Sequence, residues 1–465
     1  MREFPGNSTI TEPKLLFSAQ NPGAVSIHPL EGLLSFGPFS QNLGGHEFLE
    51  TIRIVAIYPE GYYSIIKNLV TELNSSQQPV ERKNYLKSYP GFKSVFKKSL
   101  ELLDEQSCVS LPVDLIKSSH LPHVQLSEAI VKAIRQINKI VIEFDVLYIY
   151  LPELWNSGFQ NAEEGFDLHD YLKAVTASFR IPTQIIRESS AIKYKCRCSV
   201  AWRLSIATYV KSGGIPWRLS TYDEETAVIG LSYALKVDAT TDKPQYLTCC
   251  SQVFDSDGTG LEFIAYQADE YTTQGENPFL SRYEMRRVMQ RSLQLYLNRH
   301  PGRTLKRIII HKTTPFKADE IEGCFDAFPN TQVELLQVKQ STPWKAIKFD
   351  YPKRVSNFPV NRGTFLQIAS NEILLWTQGL MQLDNRSYYK EAKGIPSPLH
   401  IVQFAGSDSW YEHCNIILGL TKMNWNHDAI YDRLPVTLGY ATTLASTLKS
   451  LPKFGNRPYE FKFFM

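Results

Sequence analysis

Apolar, β-branched runs that alternate with amphipathic stretches constrain this chain more than any other feature. Thr51–Tyr58 (TIRIVAIY) has the pattern of a buried strand, and Gly61–Leu73 then carries apolar residues at helical spacing. Leu126–Ile140 is a second amphipathic helix, and Val141–Leu151 (VIEFDVLYIYL) a second buried strand. Parallel strands need a crossover, and a helix supplies it while covering the sheet, so the alternation predicts parallel βαβ units and an α/β fold. In such sheets ligands bind at the carboxyl ends of the strands. The loop 152–165, with Pro152, Gly158 and Gly165, leads from there into the next helix.

That next stretch is basic. From Arg180 to Arg218 it holds eight Lys/Arg against one acid, Glu188, inside a chain whose net charge is only +3. Asp167 is placed to cap a helix on which His169 and Lys173 lie one turn apart, on one face. Pro182 and Gln184 follow. A second amphipathic helix ends at Lys211, before the stop signal Ser212-Gly213-Gly214. An imidazole, an amide and two ammonium groups brought together by a helix-turn-strand-helix unit would form a phosphate pocket. A solvated helix face is the alternative reading of His169 and Lys173 alone.

Past Gly214 the pattern changes. Ala227–Lys236, Gln245–Phe254 and Leu261–Gln267 read as successive antiparallel strands. Asp255-Ser256-Asp257-Gly258-Thr259-Gly260 forms the turn between the last two. A helix near Tyr283–Arg299, the strand Arg307–His311 and a helix from about Lys317 come next. Three hairpin strands followed by strand-helix alternation is the RNase H-like order. Residues 1–50, rich in Gly, Pro, Asn and Ser, read as extended strand and loop.

With 465 residues, 43% hydrophobic and 21% charged, the composition is that of a soluble globular chain of two or three domains. No window approaches about 18 uninterrupted apolar residues, and the N-terminus lacks an apolar signal core, so no membrane span is expected and the expected location is cytoplasmic. The seven cysteines form no CxxC and stand at no zinc-finger spacing, which predicts reduced, buried thiols. Cys196-x-Cys198 as a metal half-site is the alternative.

The order HxxxK (His169, Lys173), Gln184, and a lysine (Lys211) just before GGIPW resembles the guide 5′-phosphate pocket in the MID domain of Argonaute proteins. Over nearly its whole length the chain resembles a short prokaryotic Argonaute, a MID plus PIWI protein without the N and PAZ domains. The resemblance implies an N-terminal extended segment (1–30), a Rossmann-like MID domain (31–212) and an RNase H-like PIWI domain (213–465). It also implies that His169, Lys173, Gln184 and Lys211 hold the guide phosphate, and that the carboxylate of Met465 helps hold a Mg²⁺ there.

An RNase H-like nuclease needs carboxylates from several strands to hold two divalent ions. At the positions where active PIWI domains carry them, this chain has Ser232 after Gly230-Leu231, Thr313 after His311-Lys312, and Thr442 after Tyr440-Ala441. The expectation is therefore no slicing and no catalytic metal. The resemblance then implies an output through a partner: an APAZ-domain protein fused to a SIR2 or TIR NAD-hydrolysing domain, or to a nuclease. It acts in defence against plasmids or phage, with guide RNA, a single-stranded DNA target, and a higher oligomer on activation.

Two other readings stand beside this one. One is an active nuclease using other carboxylates, such as Asp238, Glu262 or Asp428. The other is a phosphatase at Asp255 and Asp257, whose DxDGT resembles the nucleophile loop of haloacid dehalogenase-type enzymes. Lys312 and Lys422 are candidates for tracking a nucleic-acid backbone, and Tyr148, Tyr171 or Tyr194 for stacking on the first guide base.

Overall fold

A computed structural model describes residues 6–42, 50–139, 143–221, 223–237, 244–275, 277–350, 354–383, 386–389, 394–407, 409–449 and 458–464. Two sheets organise them. The first is all parallel, in the order β5–β4–β1–β2, with β3 also paired to β1: β1 is Thr51–Pro59, β2 Ser99–Leu102, β3 Val109–Leu111, β4 Val146–Leu151 and β5 Thr183–Arg187. Every residue of β4 is buried, as a strand covered on both faces requires. Its helices are α1 (Tyr63–Leu73), α2 (Pro122–Ile137), α3 (Leu168–Ser178) and α4 (Arg197–Lys211). Of the strand expected over Val141–Leu151, Val146–Leu151 is strand and Val141 and Ile142 lie outside the described residues; just before it the Asp145 carboxylate accepts the Arg53 N–H at 2.7 Å.

The second sheet begins with the antiparallel strands β6 (Thr226–Val237), β7 (Pro244–Asp255) and β8 (Gly260–Ala268). After α5 (Arg282–Arg299) the chain returns to the other side of β6 as the parallel strand β9 (Arg307–Lys312). Helix α6 (Ala318–Ala327), strand β10 (Gln332–Lys339) and the antiparallel strands β11 (Thr364–Ala369), β12 (Glu372–Leu375) and β13 (Leu399–Ala405) follow. Helices α7 (Trp410–Leu420) and α8 (Val436–Lys449) end the set. Asn7–Thr9 adds to β11 and Pro458–Glu460 to β8, so segments near both ends of the chain close the two edges of one ten-stranded sheet.

Helices α5 and α6 bury one face of this sheet. The other face is continuous with the core of the first sheet, through Val228, Phe254, Ile309 and Leu336. Helix α8 lies so close to β6 that a Cβ on Gly230 would overlap the Thr437 carbonyl, which is why a glycine stands there. The segment read as extended near residue 30 is instead a helix, Pro29–Phe36. Its breaker-like residues suit it: Pro29 sits in the first turn, where its missing N–H costs nothing, and Gly32 leaves room for the Phe17 ring.

Candidate functional site

Asp167 caps α3 as its sequence position requires, accepting the N–H groups of His169 at 2.8 Å and Asp170 at 3.2 Å. The helix buries Leu168, Leu172 and Lys173 together, which draws the Lys173 ammonium inward to donate to the Thr183 carbonyl at 2.9 Å. Helix α4 is buried from Cys198 almost continuously to Lys211. It stops at Gly213, whose φ of +97° favours glycine, and at Gly214, where a Cβ would overlap the Tyr209 ring. That stop leaves Lys211 at the helix end, 1% exposed, donating to Gln184 Oε1 at 2.7 Å.

His169, Lys173, Gln184 and Lys211 thus line one cavity of about 260 Å³. It runs along the edge strand β5, where the successive residues Gln184 and Ile185 both reach it, and on to Ser190 and Ala191 just past the strand's carboxyl end. Among the described residues that line it there is no Asp or Glu side chain. Burial pushes Lys173 down to about 8, and Lys211 falls well below its ordinary value because burial is compounded by the neighbouring Lys173 charge. Two buried lysine side chains within hydrogen-bonding reach of each other, brought together with the Gln184 amide and the His169 imidazole at one cavity, suit an anion that would favour the charged form of both.

Sequence reasoning missed several lining residues. Arg203 sits two turns before Lys211 on the same face of α4; its guanidinium lies 5.3 Å from the Tyr194 ring centroid and donates to the Ser199 carbonyl. The spacing 203, 207, 211 was the available signal. Asn426, Thr443 and Phe464 enter from the second unit. The Asn426 loop is held by Tyr440, whose hydroxyl donates to Asn424 Oδ1 at 3.0 Å and accepts from the Trp425 N–H at 3.2 Å. Met465 lies outside the described residues. Among the described residues the one cluster with three metal-ligand side chains is Asp167, His169 and Asp170, and there Asp167 is already occupied as the helix cap.

The count of eight basic residues overstated the free positive charge. Lys193 pairs with Glu153 at 2.6 Å, Arg197 with Glu72 at 2.6 Å and Arg218 with Asp257 at 3.1 Å. Lys312 and Lys422, expected to track a nucleic-acid backbone, are buried in ion pairs instead. Lys312 is buried against Glu320 at 2.6 and 2.7 Å, and Lys422 against Glu12 at 3.0 Å. Tyr148 is core, bonded to Thr208 Oγ1 at 2.6 Å. Tyr171 packs on Phe166, and Tyr194 donates to Glu81 at 2.6 Å. The five described cysteines are free and buried, Cys196 and Cys198 among them.

Ser232 follows the last β6–β9 pair, Leu231–Lys312, on β6 and Thr313 follows it just past the end of β9, while Thr442 sits on α8, which packs on β6. Of the other carboxylates, Asp428 is held by Arg82 at 3.3 Å and Ser199 at 2.7 Å. Asp238 and the side chain of Glu262 lie outside the described residues. Asp255–Gly258 is a closed turn: the Gly258 N–H reaches the Asp255 carbonyl at 2.9 Å, and Gly258 has φ +80°. Asp257 accepts the Thr259 N–H at 2.9 Å, and Asp255 contacts His300 at 2.9 Å. Burial and the neighbouring Asp257 push Asp255 up to about 6. Both carboxylates serve a hairpin turn and its ion pairs.

No protein-family model and no curated protein matches the sequence. Solved structures do. The Argonaute of Clostridium butyricum, bound to a guide DNA and a 19-mer target DNA, superposes with a TM-score of 0.68 at 17% identity over 99% of this chain. Aa-Ago with an externally bound siRNA gives 0.63 at 18% over 98%, and Aquifex aeolicus Argonaute 0.61 at 15% over 98%. This chain spans only 55–57% of the length of those proteins. No described helix is long and apolar enough to cross a membrane. The chain has the fold of the MID and PIWI portion of Argonaute proteins, a Rossmann-like unit joined to an RNase H-like one.

Proposed function

We propose that this chain is a short, nuclease-silent Argonaute that holds the 5′-phosphate of a guide strand and recognises a complementary strand. The observation that carries the reading is the pair of buried lysines, Lys173 and Lys211, brought together with His169 and Gln184 at one cavity. A terminal phosphate brings close to two negative charges and several acceptor oxygens, which two ammoniums, the Gln184 amide and the His169 imidazole complement. Sequence would be read by base pairing, with the protein following the backbone.

Ser232, Thr313 and Thr442 support silence, because three hydroxyls cannot gather Mg²⁺ from water. In this reading the guide is RNA, the target single-stranded DNA, and the output belongs to an APAZ-domain partner with a SIR2, TIR or nuclease effector, serving prokaryotic defence. The two lysines meet the phosphate charge, and the Met465 carboxylate, which lies outside the described residues, would help hold a Mg²⁺ beside it. The test is to purify the chain, extract bound nucleic acid, and end-label it with and without prior phosphatase treatment, followed by RNase or DNase digestion. Short 5′-phosphorylated RNA of uniform length is the expected result; strands carrying 5′-hydroxyls, or none at all, would sink the reading.

A further inference from the structure

Between α1 and β2 the chain makes a loop, 77–89, closed at its base by the paired N–H and carbonyl groups of Gln77 and Tyr89. It lies against α4: the Tyr89 hydroxyl shares a hydrogen bond with Ser205 Oγ at 2.8 Å, and the Trp202 indole donates to the Lys87 carbonyl at 2.8 Å. Within it Arg82 has φ +54°, a left-handed conformation that a residue with a Cβ keeps only where its surroundings hold it there. Arg82 is held across the junction by Asp428, in the loop between α7 and α8 of the second unit. The guanidinium reaches Asp428 Oδ2 at 3.3 Å and Oδ1 at 3.5 Å. The Ser199 hydroxyl, which accepts from Arg82, donates to the same Oδ2 at 2.7 Å. Asp428 is only 4% exposed, so its carboxylate has left water for these two partners.

Ser199 stands one turn of α4 before Arg203, and Arg203, Ala207 and Lys211 all line the guide cavity. Asp428 comes two residues after Asn426, which lines the same cavity from the second unit. Asn424 and His427 bond to Asp432, Trp425 to Tyr440 and Tyr431 to Gly379, all within the second unit. Ile430 packs with Tyr85, Tyr388 and Met381, which brings the two loops together but, being apolar, sets no direction. We infer that Arg82 and Ser199 are positioning residues of the guide site: they clasp Asp428 and thereby fix Asn426 against the strand end bound in the cavity. The inference deepens the guide reading and rests on it. A buried ion pair adds little net stability over an apolar pair of similar volume, so stability alone does not account for one at this junction; fixing the register of the Asn426 loop does. The Asn426 amide, aimed in this way, supplies a donor to a phosphate oxygen beside those of Gln184 and the lysines.

The experiment is a double-mutant cycle on the full chain, with synthetic 5′-phosphorylated and 5′-hydroxyl RNA as probes and hydrogen exchange of residues 424–433 as a second readout. Arg82→Met, Ser199→Ala and Asn426→Ala are made singly, and each of the first two is combined with Asn426→Ala. Both clasp variants are expected to speed exchange in the loop. Affinity for the phosphorylated RNA should fall by about tenfold in Arg82→Met and about fivefold in Ser199→Ala. In the Asn426→Ala background neither change should weaken binding by more than about twofold, because the amide they aim is already gone. Ser199→Ala removes a single oxygen and keeps the test in hand should Arg82→Met fail to fold. A loosened loop with unchanged affinity would overturn the inference, as would losses that add in full to that of Asn426→Ala, which would make the clasp a structural joint only. Exchange equal to wild type in both variants would overturn the clasp itself. A failure of the guide reading looks different: wild type would bind the two RNAs alike, while the loops of the clasp variants would still exchange faster.

Discussion

Replacing Lys173 by Met should make the guide-free protein more stable and the guide-binding site worse. Burial brings Lys173 from 10.5 down to about 8; at about 1.4 kcal/mol per tenfold change in proton affinity, the buried charge costs about 3 kcal/mol. Methionine keeps the volume and forfeits the bond to the Thr183 carbonyl, worth about 1 kcal/mol, so the net gain is about 2 kcal/mol at pH 7. Against a phosphate the same change removes a charge-assisted hydrogen bond, about 1.5–3 kcal/mol, or roughly 10–150-fold in affinity for a 5′-phosphorylated strand.

The pH dependence gives a second handle. The folded chain releases the Lys173 proton near pH 8 and the unfolded chain near 10.5, so the penalty is fully present below pH 8 and is relieved as pH rises towards 10.5. Stability of the guide-free wild type should climb across that window, and Lys173→Met should flatten the climb. Urea titrations at several pH values, with binding measured for 5′-phosphate and 5′-hydroxyl strands, check both halves. A destabilised variant, or equal losses for the two kinds of strand, would refute the reasoning.

Three further outcomes follow from the same coordinates. Guided substrates with Mg²⁺ or Mn²⁺ should stay intact, since Ser232, Thr313 and Thr442 bring no carboxylate; a product cut at one defined position would overturn this. Glu12→Gln should cost about 3–5 kcal/mol in a urea titration, because Arg362, 3.0 Å away, and Lys422 lose their shared buried partner. Glu12 is held below its ordinary 4.5, so its stabilisation is present above that pH and should be lost in acid as pH falls through the depressed value. Gly230→Ala should cost about 1–3 kcal/mol or more by driving α8 off β6, and it should weaken guide binding too, since α8 carries Thr443 into the cavity.

The parallel sheet and the hairpin-first second sheet were legible because each rests on local periodicity and turn chemistry. Three cavity residues were legible for the same reason: Asp167 caps the helix on which Lys173 follows His169 by one turn, and Lys211 precedes a glycine stop, whereas Gln184 had no such local signal. What the sequence hid were partners distant along the chain. Nothing near Lys422 announces Glu12, 410 residues away, so a lysine in a PIWI-like segment read as groove-lining when it is core. Glu320 lies only eight residues from Lys312, but the strand-to-helix turn that brings them together is tertiary. The helix Pro29–Phe36 was hidden by Pro29 and Gly32, which signal loop until one sees that the first occupies the tolerant first turn and the second faces Phe17.

Asn426, Thr443 and Phe464 were the hardest to foresee, and they change what filling the cavity does. A pocket made only of α3, β5 and α4 would gain from an anion solely by relieving Lys173 and Lys211. Here the same anion lies against groups delivered by the second sheet's helix α8 and by the loop that Tyr440 holds, so the charge relief is felt across the junction of the two units. Guide-free protein carries two buried lysines at that junction, each with its pKa held down by burial, and that of Lys211 further by its neighbour. Once a phosphate offsets them, separating the units would mean exposing the ion pair as well as the apolar core, and ligand binding becomes part of the stability of the joint.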